Sequence, residues 1–234
     1  MSQGDASIRS PIDEAPWPDK LTARVVSPGP RPTIHGYDVE GDLARHYSFG
    51  ETIFLALTGE LPNVEQARMF EVALQFAAPS PINEAPTHAA VLARTCAGTT
   101  SAIQGTAAIA LAEQARVLVS AHSGWIGDLS GTLANASSQH RAKSDEERAS
   151  VERLRLALQD GGLRVPVLAQ DLSRPAALLA VFHACGLKRA KQMECALVVA
   201  KLVVTMAEAL AAPAGSFRKY PVLLPTTVYE EDEP

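Results

Sequence analysis

The sequence predicts an all-α protein, and three observations carry that prediction. Of the 234 residues 47% are hydrophobic but only 5% aromatic, with many alanines; alanine is the best helix former, whereas strands favour β-branched and aromatic side chains. Helix-start signals recur along the chain. Apolar residues repeat at helical spacing over long runs, and no segment alternates apolar and polar for more than a few residues.

Residues 1–32 hold Pro11, Pro16, Pro18, Pro28, Pro30 and Pro32. Prolines at that density lack backbone donors and fix φ, so the segment reads as an extended arm. Ser48-Phe-Gly-Glu51 is a capping box, with Ile53, Phe54 and Leu57 as the apolar face behind it and Gly59 as a stop. Asn63 caps the next helix, whose stripe is Met69, Phe70, Ala73, Leu74 and Ala77; Pro79, Pro81 and Pro86 then break the chain. A long helical run covers about Ser101 to Ala121. Gly124 to Gln139, rich in Gly, Ser, Thr and Asn, reads as a loop or a weak helix.

Ser144-Asp-Glu-Glu147 is a second capping box, opening a helix with Val151, Leu154 and Leu158 inward that Asp160-Gly-Gly162 ends. Ser173 precedes a helix through Ala184, stopped by Gly186. The last, about Lys188 to Ala211, is apolar at Met193, Ala196, Leu197, Ala200, Val204, Ala207 and Leu210, and Glu230 to Glu233 form a solvated tail. The expected organisation is an arm at 1–32, a large helical lobe at 33–140 and a smaller lobe at 141–195. Residues 196–234 would supply a long helix returning to the large lobe, and the acidic tail.

Charge and composition exclude several functions. Twenty-one basic against 26 acidic residues give a net charge of −5, without a basic stripe, so no nucleic-acid partner is expected. Residues 1–20 carry no apolar run of a signal peptide, and the most apolar stretch, Cys195 to Ala212, contains Lys201 and Glu208, so no membrane span is expected. Cys96, Cys185 and Cys195 form no CxxC pair and suit free thiols in a reducing compartment. A soluble, cytoplasmic protein is the expectation. His183-Ala-Cys185 with Cys195 lacks a fourth ligand and has apolar neighbours, which reads as core rather than metal site; no metal is expected. There is no phosphate-binding loop or dinucleotide fingerprint, and Gly127-Asp-Leu-Ser-Gly131 has the wrong spacing for a nucleophile elbow.

Ile34-His-Gly-Tyr-Asp38, Leu43-Ala44, Ser48-Phe49, Glu51, Leu57 and Thr58-Gly-Glu-Leu-Pro62 follow in an order and spacing that resemble the citrate synthase and citryl-CoA lyase family. Ala90-Val-Leu-Ala-Arg94 with Ser101-Ala-Ile103 looks like the helix before that family's first active-site loop. Gly162-Leu-Arg-Val165, with Asp171-Leu-Ser-Arg174 after it, looks like its Gly-His-Arg-Val and Asp-Pro-Arg segment. The chain is much shorter than a full citrate synthase and closer in size to the citryl-CoA lyase module of ATP-citrate lyase. The resemblance implies a two-lobed helical fold that dimerises through long packed helices, with a CoA thioester as ligand and no covalently bound cofactor.

The family's reaction joins an acyl-CoA enolate to a 2-oxo acid, or reverses that step. It needs a carboxylate base, a donor for the enolate oxygen and a donor for the keto group. The resemblance assigns these to one aspartate and two histidines. Here the first histidine position reads Ala115, in Glu113-Gln-Ala-Arg-Val-Leu118, and the second reads Leu163; the segment of the aspartate reads Lys219-Tyr-Pro-Val-Leu-Leu-Pro225, without a carboxylate. Arg174, Arg164 and Arg94 remain as anion binders. His88 falls near a substrate-contacting histidine of related lyases, and His122 is a substitute for the first histidine if the register shifts; the plain alternatives are a helix-start and a helix-end histidine.

Three function classes follow. One is a family member without catalysis, an accessory subunit pairing with itself or with a catalytic homologue. Another is an atypical citrate synthase or citryl-CoA lyase with relocated groups drawn from Glu113, His88 or His122. The third is a sensor of an acyl-CoA or a tricarboxylate.

Overall fold

Short polar side chains at helix starts organise most of the chain. The computed structural model describes residues 20–129 and 137–214, and the chain divides into two units, one ending at Tyr47 and one beginning at Ser48.

In the first unit, β1 (Val26–Ser27), β2 (Thr33–Ile34) and β3 (Tyr37–Asp38) make a small antiparallel sheet in that order, with Val26 opposite Ile34 and Ile34 opposite Tyr37. Part of the segment read as an extended arm is therefore a paired strand. The β2–β3 turn places His35 at φ 47° and Gly36 at φ 89°, consecutive left-handed residues of the kind that tight hairpins require. Asp38 then accepts from the amides of Glu40 and Gly41 at 2.9 and 2.7 Å. That cap starts a π-helical turn, Val39–Leu43, which runs into α1 (Ala44–His46).

The second unit is built of helices. α2 (Phe49–Thr58) opens with the expected capping box: Ser48 Oγ accepts from the Glu51 amide at 3.2 Å, and Glu51 accepts from the Ser48 amide at 2.7 Å. Gly59, at φ 88°, ends it as expected. α3 (Val64–Ala77) starts on Asn63, and Gln66 completes a reciprocal box there. Pro86 does not break the chain; it lies in the first turn of α4 (Ala85–Thr95), where a missing amide costs nothing.

α5 (Thr100–Asp128) is longer than its sequence suggests. The segment from Gly124 is helical as far as Asp128 because Trp125 and Ile126 are buried, and packing outweighs weak local propensity. In α6 (Asp145–Asp160) Ser144 caps Glu147 at 3.2 Å, but the Glu147 carboxylate returns to the Lys143 amide at 2.8 Å rather than to Ser144. α7 (Arg174–Cys185) runs from Ser173 to Gly186.

α8 (Ala190–Ala211) buries Met193, Ala196 and Leu197 as the periodicity predicts. Towards its end the buried face turns to Thr205 and Ala209, leaving Val204 and Leu210 exposed. The reason is polar: Thr205 Oγ1 lies 3.4 Å from Thr87 Oγ1, which donates to the Ser80 carbonyl at 2.9 Å and meets Ser80 Oγ at 2.8 Å. This buried hydroxyl chain ties α8 to the start of α4.

Two apolar clusters hold the unit together. The larger centres on Phe54, Phe70 and Phe182, with Phe54 and Phe70 edge to face at 5.4 Å. In the smaller, Ala90, Ala107 and Ala209 bring α4, α5 and α8 close around Ile103. The Lys219–Pro225 segment and the acidic tail lie outside the described residues.

Candidate ligand-binding site

Between these clusters, several helices leave a half-open cavity of about 200 Å³. Its wall takes Phe76 and Ala77 from the end of α3, Glu84 from the cap of α4, and Leu111, Gln114, Ala115 and Leu118 from mid-α5. The start of α7 contributes Arg174, Pro175 and Leu178, and α8 contributes Leu197 and Lys201. Helical spacing explains the grouping: Leu111, Gln114, Ala115 and Leu118 share one face of α5, as Leu197 and Lys201 share one face of α8.

Two polar clamps sit in this apolar wall. Glu84 Oε2 accepts from Lys201 Nζ at 2.7 Å and from Gln114 Nε2 at 3.1 Å. One carboxylate oxygen thus joins the cap of α4 to α5 and α8, largely out of water, the side chains of Lys201 and Glu84 being 18% and 31% exposed. Arg174 donates to the Phe76 carbonyl at 2.6 Å, satisfying one of the carbonyls that the end of α3 leaves without an intrahelical partner. Its other guanidinium donors have no protein acceptor among the described residues, and no carboxylate pairs with it there. Lys201 is neutralised by Glu84. Among the described residues no carboxylate pairs with Arg174, which leaves one positive charge in the described wall without a counter-charge.

The structure brings Ala115 and Arg174 together and places the other sequence candidates elsewhere. Leu163 is buried in the main cluster, and Arg164 is exposed; both line a separate groove with Arg155 and Gln159. His88 is exposed on α4. Arg94, further along α4, is half-buried, with Nε enclosed and unpartnered. His122 bonds through Nδ1 to the Leu118 carbonyl at 2.8 Å and packs on His140, ring centres 5.0 Å apart; His140 stacks in turn on Trp125 at 5.2 Å. Glu113 lies on the exposed side of α5, paired with Arg116 at 2.6 Å, and that guanidinium holds its carboxyl below the usual range. No histidine lines the cavity among the described residues.

Glu84, Gln114 and Lys201 escaped the sequence reading. A signal for Lys201 existed: a cation inside the apolar run of α8, four residues after Leu197, marks a charged group on a buried face. For Glu84 and Gln114 nothing in the sequence showed that their elements meet. Cys185 is fully buried and donates to the Phe182 carbonyl at 3.1 Å; burial pushes its thiol up to about 12, so it is no nucleophile. Cys195 is exposed, and no group of three or more metal-ligating side chains occurs among the described residues.

The helical architecture around this cavity is a citrate synthase-like fold. Superposed on citryl-CoA lyase from Hydrogenobacter thermophilus, the chain gives a TM-score of 0.68 at 15% identity, covering 92% of this chain and 97% of that one. It also resembles a variant of ATP citrate lyase from Methanosaeta concilii in complex with (3S)-citryl-CoA, with a TM-score of 0.52 at 12% identity, over 85% of this chain and 40% of that one. No protein-family model and no curated protein matches the sequence. The chain has the citryl-CoA lyase fold. Among the described residues no helix is long and apolar enough to cross a membrane.

Proposed function

We propose that this chain is a citryl-CoA lyase-like protein that binds a carboxylate or CoA-thioester ligand without catalysing the family reaction, and that it acts as an accessory subunit. The observation that carries the reading is Ala115. It lines the cavity beside Arg174, at the position where the resemblance expects a histidine. A methyl group can neither donate to an enolate oxygen nor move a proton, and each such group contributes on the order of 10²–10⁴ in rate. Binding asks less, since the free donors of Arg174 suffice to hold a carboxylate.

Pairing with a second copy, or with a catalytic homologue, is supported by the exposed apolar side chains of the two longest helices. Ile109 and Val117 on α5, and Val203 and Leu210 on α8, stand in water, Ile109 and Val203 at 74% exposure. A reducing, cytoplasmic setting fits the three free cysteines.

One observation favours the alternative of an enzyme with relocated groups: Glu84, the one carboxylate lining the cavity among the described residues. Two assays of the purified protein separate the readings: thiol release from acetyl-CoA with oxaloacetate, which needs condensation and then hydrolysis of the thioester, and oxaloacetate release from citryl-CoA, which needs only the reverse cleavage. The accessory reading predicts neither above buffer. Either activity, disappearing in Glu84→Gln, His88→Ala or His122→Ala, would establish relocated catalysis in its place.

A further inference from the structure

The charge and size of the cavity narrow its ligand, and we infer that it selects a small amphipathic monocarboxylate, an aliphatic acid of about hexanoate size, over a tricarboxylate. This rests on the reading of the cavity as a carboxylate site and adds the class of carboxylate.

Charge is the first argument. Among the described lining residues, Glu84 and Lys201 cancel across a 2.7 Å contact, and Arg174 is the one cation left without a carboxylate partner. A single carboxylate matches that wall. A trianion entering it would leave two charges stripped of water without counter-charges, which a partly buried site strongly disfavours. The start of α7 lies at the same place, so its amide dipoles add to the preference for one negative group beside Arg174.

Size and surface point the same way. A dry cavity of about 150 Å³ holds a benzene molecule; about 200 Å³ then admits roughly eight non-hydrogen atoms by the same scaling, the size of hexanoate. Much of the remaining lining is aliphatic, from Leu111, Leu118, Leu178 and Leu197. It would bury an alkyl tail and offers nothing to further carboxylates or hydroxyls. Ala115 sets the depth, because any larger side chain there would occupy the space.

The test is calorimetric titration of the full chain with hexanoate, hexanol, citrate and acetyl-CoA. Hexanoate should bind, hexanol and citrate should bind on the order of tenfold or more weakly, and Arg174→Gln should weaken hexanoate by a similar factor. Ala115→Phe should abolish the hexanoate signal with an unchanged far-UV spectrum; if it does not fold, Leu118→Phe provides the same block. Citrate bound more tightly than hexanoate, with loss in Arg174→Gln, would overturn the inference and leave the carboxylate reading intact. Hexanoate binding indifferent to Arg174→Gln and to the blocking variant would place any site elsewhere and overturn the inference. No binding by any of the four would overturn both.

Discussion

At the scale of single residues, one carboxylate lining the cavity has three partners. Glu84 stands at the N-cap position of α4 without bonding its amides; its carboxylate accepts from Lys201 of α8 and Gln114 of α5 and lies 3.5 Å from Ser80 Oγ. A pair this sheltered is worth little relative to an apolar pair of equal shape, but breaking it on one side leaves a charge without its partner. Lys201→Met should therefore destabilise the fold by about 1–3 kcal/mol, read as a lower urea midpoint with unchanged m. Adding Glu84→Gln should restore part of the loss. If the double variant is as unstable as the sum of the single ones, the clamp does not couple the two residues.

Helix by helix, the local rules explain where the chain was readable. Ser48, Asn63, Ser144 and Ser173 all cap the helices that their spacing implied. These signals lie within four residues of the event they cause, so no tertiary knowledge is needed. The end of α5 and the late face of α8 were hidden for the opposite reason: burial of Trp125 and the Thr87–Thr205 contact decide them, and both are long-range. The same holds for the cavity, where Arg174 was legible but its meeting with Ala115, Glu84 and Lys201 was not. At this scale the account also predicts association. Ile109→Glu with Val203→Glu should shift the sedimentation profile from an assembly to a monomer, whereas a wild-type chain that is monomeric at micromolar concentration and recovers no homologue from its host would refute pairing.

At the scale of the whole molecule, two buried histidines among the described residues, His140 and His183, contribute to the response to acid. Burial and the neighbouring His122 push His140 below the ordinary histidine value of 6.5, and burial with Lys188 nearby does the same to His183. The fold therefore favours the neutral form of both rings, while the unfolded chain takes up protons nearer pH 6.5. Stability should be full above that pH and fall as pH drops towards the depressed values, by at most about 1.4 kcal/mol per pH unit for each ring. His140→Phe, which keeps a ring against Trp125, should give a shallower fall in the thermal midpoint between neutral and mildly acidic pH. An unchanged slope would show that His140 is not one of the groups responsible. The reading of this chain as a binder that does not turn over its ligand has a direct test: citryl-CoA is mixed with a stoichiometric amount of the chain and oxaloacetate release is followed over a single turnover. The expected result is release no faster than in buffer, for the wild type and for Leu163→His alike; a wild-type burst of oxaloacetate equal to the amount of protein would contradict it.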